Sequence, residues 1–487
     1  MKQLFSFKSV VRIMSMLLVF EILFMSVACL VSFLYNESDV RYFLYSIGIT
    51  SAASLLGFLF TLKTRITMGK REGFLVVATV WIVFSAFGML PFYLSGSIPS
   101  FTDAFFETMS GFSTTGATIL NDIETLSHGQ LFWRSLLQWI GGMGIIVLSL
   151  AILPLLDVGG MSLFAAEVPG PTKDKIHPKL STTAKMLWGM YTLITFFESF
   201  CLWVGGMDYF DAICHSFTTM ATGGFSTKNA SIGYWDSPVI EYIVIFFMFI
   251  GGINFALFFR LLRGKFSKVF GDEELRFYVR FIIILTIMAS GSLYYYHSNE
   301  ISLADNLRYN LFHVVSLITT SGFCVQDYMQ WQPLVWSVML TVMIFSGCSG
   351  STSGGIKTVR LAILFKNSYY EFKRLLHPNA VLPIRFNGQV IRPQLVNSIL
   401  AFVSLYAILV FGSSLVFTAT GLPFDESLST ALSGVGNIGP AIGSLGPASN
   451  FSTLTPFAKW FMAFLMLIGR LEIFTVLVVF TPAFWKR

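Results

Sequence analysis

GFSTTGAT, Gly111–Thr118, sets two glycines, a serine and three threonines, with no charge, between apolar stretches long enough to cross a membrane. Backbone that leaves the helix at bilayer depth is tolerated only where protein buries it or water bathes it. The interruption also recurs. FTDAFFETMSGFSTTGAT (Phe101–Thr118) is matched by YFDAICHSFTTMATGGFST (Tyr209–Thr227), RYNLFHVVSLITTSGF (Arg308–Phe323) and PFDESLSTALSGVGNIGPAIG (Pro423–Gly443). With Gly116, Gly224, Gly322 and Gly439 aligned, Glu107, His215, His313 and Thr430 each fall nine residues upstream, and Asp103, Asp211 and Glu426 also coincide. The glycines lie 108, 98 and 117 residues apart, so the unit is about one hundred residues and reads helix, re-entrant loop, helix.

The rest of the chain suits a bilayer. Of 487 residues, 54% are hydrophobic and only 12% charged, half the charged fraction of an average soluble domain. Spans need about 20 apolar residues, and ten candidates emerge: 10–35, 42–62, 74–96, 131–156, 186–206, 238–262, 280–297, 333–363, 395–421 and 456–484. The run 10–35 exceeds a signal-peptide core and reads as a retained first helix. The fold class is therefore an all-α membrane protein: four parallel repeats around one pore, plus two N-terminal helices. The expected units are 1–71 (the extra helices), 72–172, 173–272, 273–385 and 386–487. Parallel repeats share an axis along the membrane normal, so the four tips should meet on it.

The termini and the loops 63–71, 173–185, 260–280 and 357–392 hold 26 of the 32 Lys and Arg residues. The positive-inside rule puts these loops and both termini in the cytoplasm. The net charge of +6 then belongs to the membrane surface, and no nucleic-acid partner is implied. Six cations stand outside that pattern: Arg41, Arg134, Lys228, Arg308, Lys459 and Arg470.

The tips have the chemistry of a monovalent-cation filter. Stripping water from such an ion takes a ring of oxygens, and backbone carbonyls supply one. Glycine allows the backbone angles that aim them; Thr and Ser add hydroxyls. The expected lining is Thr114, Thr115 and Gly116; Thr222, Gly223 and Gly224; Thr320, Ser321 and Gly322; and Asn437, Ile438 and Gly439. No carboxylate lies in the tips, which disfavours a divalent-cation filter. Asp103, Asp211, Asp425 and Glu426 can either cap the pore helices or draw cations to the mouth. His215 and His313 have a metal reading, but Glu107 and Thr430 complete their ring, so packing or hydrogen bonding behind the filter is preferred.

A second anomaly is SGCSGSTSGG, Ser346–Gly355, inside what should be one helix. It lacks the phosphate-loop pattern and reads as unwound helix lining the pathway. It is the candidate gate, with Gly347, Gly350, Gly354 and Gly355 as its flexible points. Arg470, an intramembrane charge, is expected below the filter, either as an electrostatic barrier or bonded to the loop's carbonyls. Glu472, two residues away, is a poor partner for it. Glu21 and Glu198 are intramembrane too, without an assigned role. The five cysteines are scattered without metal-ligand spacing. Intramembrane catalytic motifs such as H-E-x-x-H, G-x-S-x-G or paired carboxylates are absent, so the chain is not expected to be an enzyme, and an inert scaffold would not repeat Gly–Thr tips.

TTGAT (Thr114–Thr118), GGFST (Gly223–Thr227), TTSGF (Thr319–Phe323) and GNIGP (Gly436–Pro440) carry a resemblance. So do GSTSGGIKTVR (Gly350–Arg360) and GRLEIFTVLVVFTPAFW (Gly469–Trp485). Over essentially its whole length the chain resembles the Trk/Ktr/HKT superfamily of potassium transporters, closest to the membrane subunits of bacterial Trk systems. The resemblance implies K⁺ uptake across the bacterial inner membrane, with K⁺ as the transported ion and no bound organic cofactor. It also implies a homodimer with one pore per subunit, a gating loop at 346–355, Arg470 facing the pore, and a cytosolic TrkA-type nucleotide-binding regulatory subunit. In the plant-related branch a serine at the first tip glycine goes with sodium transport, so Gly116 favours potassium. The fourth tip departs by lacking the threonine. A K⁺ symporter coupled to H⁺ or Na⁺ is the alternative.

Overall fold

The computed structural model describes residues 6–64, 69–152, 180–297 and 301–485. Residues 173–179 of one expected basic loop, the end of the 131–156 span and the boundary expected at 172/173 fall outside them.

Among the described residues six helices are long and apolar enough to cross a membrane, and up to eight spans result if each of two bent pairs is one crossing. The first two, Phe7–Leu34 and Val40–Phe60, form an antiparallel pair. Small residues bring them together: the Ser54 hydroxyl donates to the Ser15 carbonyl at 2.7 Å, and a Cβ on Gly57 would sit 2.2 Å from Ser15 Oγ, the close approach usual where bilayer helices pack. Glu37, just beyond the first helix, accepts the backbone N–H groups of His128 (2.8 Å) and Gly129 (3.1 Å) and so ties the pair to the repeats.

Each repeat has the same sequence of parts. Lys70–Gly88, Leu180–Val204, Glu273–His297 and Pro393–Ala419 lead in. Short pore helices follow at Phe101–Phe112, Tyr209–Met220, Leu303–Ile318 and Phe424–Gly436. Ser100, Asp208 and Ser302 cap the first three by accepting from Asp103, Phe210 and Asp305 N–H groups, the usual way to satisfy orphan donors at a helix start. At 12, 12, 16 and 13 residues and 1.5 Å per residue, none can cross a hydrocarbon core of about 30 Å; each must turn back.

Every second helix is broken below its tip. In the first repeat His128–Ile152 holds a non-helical Gly144 at φ 70, ψ 130. In the second, Pro238–Gly251 bends by 98° into Phe255–Leu262. In the third, Pro333–Val342 ends early, and the chain makes a two-residue parallel pairing, Phe345 with Ile356 and Ser346 with Lys357, before Thr358–Leu376. In the fourth, Pro456–Arg470 bends by 108° at Glu472 and Ile473, both at positive φ. Hydropathy along the sequence marks only the third of these breaks. The cause is local: GGMG and GGIN supply glycines, and Asn254 caps the helix that restarts by accepting from Ala256 N–H at 2.9 Å.

Candidate ion pathway

The four tips share one backbone. Each pore helix ends with a residue in the left-handed region: Thr114 (φ 53), Thr222 (53), Thr320 (58) and Asn437 (52). The N–H of the next residue reaches back five positions: Thr115 to Ser110 O (2.9 Å), Gly223 to Thr218 O (2.9 Å), Ser321 to Ser316 O (2.8 Å) and Ile438 to Ser433 O (3.1 Å). This is the Schellman closure of a helix C-terminus, made four times. The aligned glycines follow, again at positive φ: 82, 77, 75 and 107 for Gly116, Gly224, Gly322 and Gly439. A β-branched residue in that region carries a cost of about 1–2 kcal/mol, so three strained threonines at one register are a built feature.

The tips also meet in order. A Cβ placed on Gly116 would lie 2.0 Å from the carbonyl oxygen of Gly223; on Gly224, 1.8 Å from that of Ser321; on Gly322, 2.3 Å from that of Ile438; and on Gly439, 2.9 Å from that of Thr115. Each glycine abuts the carbonyl preceding the next glycine, and the fourth returns to the first. The twelve residues expected to line the filter are therefore brought together as a closed ring. They are buried or, at the glycines Gly116, Gly224 and Gly322, half-buried.

In the first three repeats the position nine residues upstream of the glycine holds the tip from behind. Glu107 accepts from Thr118 Oγ1 (3.0 Å) and Ile119 N–H (2.9 Å). His215 Nε2 meets Ser226 Oγ at 3.0 Å, and His313 Nε2 faces Cys324 Sγ at 3.7 Å. All reach the residue two beyond the glycine. In the fourth repeat Ser429, one residue earlier than Thr430, accepts instead from the N–H of Ile442, three residues beyond the glycine, at 3.1 Å. The histidines are thus braces, and among the described residues no group of three or more His, Cys, Asp and Glu could hold a metal. Three of the four carboxylates at the pore-helix starts are engaged likewise: Asp103 with Lys459 Nζ (2.6 Å), Asp211 with Thr227 Oγ1 (2.7 Å), Glu426 with Ser444 N–H (2.9 Å); Asp425 is exposed.

Of the six cations outside the basic loops, Arg134, Arg308 and Lys459 join neighbouring repeats near the tips. Arg134 Nε donates to Glu107 at 2.7 Å and Nη1 to Ser226 O at 2.7 Å, with the guanidinium 3.7 Å from the centre of the Phe225 ring. Arg308 links the third pore helix to Glu241 of the second repeat at 2.7 Å, and Lys459 links the fourth repeat to Asp103 of the first. Breaking a buried pair such as Arg134–Glu107 by removing one partner costs about 3–5 kcal/mol.

Beneath the ring sits the 346–355 segment. Gly354 N–H donates to Thr320 Oγ1 at 2.9 Å, so the segment touches a filter residue directly. Thr352 Oγ1 donates to Met220 O at 3.0 Å and Cys348 N–H to Gly252 O at 2.8 Å. Its glycines are close-packed: a Cβ on Gly354 would lie 2.2 Å from Gly436 O, and one on Gly347 2.7 Å from Gly252 O. Gly350 and Gly355 hold positive φ. Arg470 Nη1 donates to Thr352 O at 2.9 Å, and Nη2 to Gly142 O at 2.8 Å and to Gly141 O. Of the two roles expected for it, this geometry presents the bond to the loop's carbonyls. Glu472 pairs instead with Arg360, a partnership across 112 residues that spacing along the chain could not reveal. Glu21 and Glu198 are buried behind pore helices, Glu21 beside Gly88 and Thr108 and Glu198 beside Thr219, away from the tips.

The cation transport protein family TrkH matches residues 40–487. The Trk system potassium uptake protein TrkH of Escherichia coli K12 is 41% identical over 485 residues, covering 99% of this chain and all of that one. The TrkG protein of the same strain is 35% identical over 459 residues, 94% of each chain. The crystal structure of the potassium transporter TrkH from Vibrio parahaemolyticus superposes with a TM-score of 0.88 at 35% identity, covering 99% of this chain and 100% of that one. The chain belongs to the TrkH family of cation transport proteins.

Proposed function

We propose that the chain carries K⁺ into a bacterial cell down its electrochemical gradient, through the ring of four tips, with the 346–355 loop as gate. The observation that carries the reading is the cyclic glycine-to-carbonyl contact running Gly116, Gly224, Gly322, Gly439 and back. A closed ring of backbone can replace a hydration shell on all sides at once. Alternating signs of φ at the tips turn successive carbonyls toward one side, and four pore-helix C-termini add partial negative charge. The absence of carboxylates from the tips suits a monovalent ion that must leave as readily as it enters. The relatives are named as potassium uptake proteins, which supports K⁺ as the cargo.

The loop is a suitable gate because it lies under the ring and is fastened to the second, third and fourth repeats by bonds that can be exchanged. Arg470 holds it and places a positive charge on the cation's route. The basic loops put both termini and the 357–392 connection in the cytoplasm of an inner-membrane protein. There a separate TrkA-type nucleotide-binding regulatory subunit would act on the gate. The name "Trk system" of the relatives accords with more than one component.

The test is K⁺ and Na⁺ flux into proteoliposomes of the full chain. Wild type should pass K⁺ in preference to Na⁺ with a reversal potential that ignores pH and Na⁺. Gly116→Ser should lower that preference, and deletion within 346–355 should leak. A reversal potential that tracks pH or Na⁺ selects coupled transport instead, and an unchanged preference in Gly116→Ser removes the filter from this place.

A further inference from the structure

Glu274, which the sequence did not single out, is the second residue of the helix leading into the third repeat, and it is buried. Its Oε1 accepts two backbone N–H groups: Ser349 at 2.6 Å, in the first half of the loop, and Val359 at 3.1 Å, in the helix that follows it. One carboxylate oxygen thus clasps both limbs of the loop at its base. The other fastenings hold Cys348 at Gly252, Thr352 at Met220 and Arg470, and Gly354 at Thr320.

The start of the Glu274 helix is itself clamped from the basic side of the molecule. Glu273 N–H donates to Asn387 Oδ1 at 2.8 Å, and Asn387 Nδ2 to Asp272 Oδ2 at 2.9 Å. Asn387 is the turn of a small hairpin, Arg385–Phe386 with Gln389–Val390. Lys366 bonds both Glu273 and the Arg385 carbonyl, the latter at 2.9 Å. A continuous polar chain therefore runs from the hairpin through residues 272–274 to the loop.

We infer that Glu274 is a positioning residue for transport: its carboxylate latches the base of the loop, and the 385–390 hairpin sets the latch. The inference rests on the reading of 346–355 as the gate. A force on the hairpin would tilt the first turn of the helix and draw the carboxylate from Ser349 and Val359 together. Removing the acceptor of two buried backbone N–H groups leaves both unpaired, so losing both bonds shifts the loop equilibrium by about tenfold or more.

Cys348, buried in the loop next to Ser349, supplies a readout independent of flux. The full chain in proteoliposomes is treated with a membrane-impermeant thiol reagent from the basic face, and modification is read peptide by peptide. Glu274→Ala should speed Cys348 modification by roughly tenfold and raise K⁺ flux. Glu274→Gln keeps an amide oxygen able to accept both N–H groups and should stay near wild type. Asn387→Ala should give an intermediate rise. Cys324, beside the third tip, should not change in any of them. Unchanged Cys348 modification in Glu274→Ala overturns the latch, as does an equal rise at Cys348 and Cys324, which reports general loosening. No rise in Asn387→Ala removes the hairpin's role. Faster Cys348 modification without added flux leaves the latch standing and removes the gate from 346–355.

Discussion

The four tips and the four second helices beneath them come from the same repeats, yet they have diverged by different amounts. Above, the tips keep one backbone: a left-handed residue, a five-residue back bond and a positive-φ glycine, four times over. Below, the helices break in four different ways, by a glycine kink, by bends of 98° and 108°, and by an unwound loop. On the proposed filter role, a ring that replaces a water shell needs equivalent oxygens on every side, which constrains divergence at the tips. Movement has no such need. On the proposed gating role one loop that swings is enough, and the broken helices supply its partners: Gly252 bonds the loop directly, and Arg470 bonds both the loop and the carbonyls of Gly141 and Gly142.

The largest expected effect attacks the equivalence of the tips. Alanine at Gly224, Gly116 or Gly322 would place a methyl 1.8, 2.0 or 2.3 Å from the next tip's carbonyl oxygen, while at Gly439 the distance is 2.9 Å. All four positions also carry positive φ, at a cost of about 1–2 kcal/mol for a residue with a side chain. That strain leaves a folded protein, but the collisions must open the ring. The first three variants should lose selective K⁺ uptake, measured as K⁺-limited growth and as the K⁺ to Na⁺ flux ratio, and Gly439→Ala should lose least. Equal damage at all four would mean that the fourth tip is as tight as the rest.

An intermediate effect is expected at Arg470, on the unequal side of the comparison. Its guanidinium spans the loop at Thr352 and the first repeat at Gly141 and Gly142. A lysine offers a point charge and cannot hold that fork. Arg470→Ala should raise basal K⁺ flux by about tenfold or more, and Arg470→Lys should raise it less, because the charge remains in the pathway. If the two variants leak equally, the fork matters and the charge does not; flux at or below wild type in both would remove Arg470 from gating.

What could be read from the sequence divides along the same line. The tips were legible because short-range chemistry fixes them: Gly and Thr at one register, nine residues after a brace. The braces were found by alignment, although which atoms they hold was not, since that requires the descending strand. The breaks in the second and fourth repeats were hidden because GGIN and GRLE lie inside strongly apolar runs, and hydropathy averages over a bend. Arg360–Glu472 and Glu274 were out of reach for another reason. Their partners are 75 to 112 residues away, and a charge on a helix end looks like a solvated face until something packs on it. GGMG and GGIN, each a glycine pair followed two residues later by Gly or Asn, were the signal available for the missed breaks.

The smallest effect is expected where the tips themselves differ. Asn437 stands where the other repeats have Thr, at the same φ of 52. Its Nδ2 donates to Thr115 Oγ1 and to Met466 O, both at 2.9 Å, which stitches the fourth tip to the first and to its own second helix. Asn tolerates the left-handed region better than Thr does, so the substitution suits the backbone as well as the contacts. Asn437→Thr restores chemical fourfold symmetry but has too short a side chain to keep both bonds, a loss of about 1–2 kcal/mol. The expected outcome is a thermal midpoint lower by a few degrees, with the K⁺ to Na⁺ flux ratio nearly kept, because the carbonyl ring does not run through that side chain. Collapse of the ratio would show that selectivity depends on the stitch between tips as well as on the ring, and that the departure from symmetry is itself part of the filter.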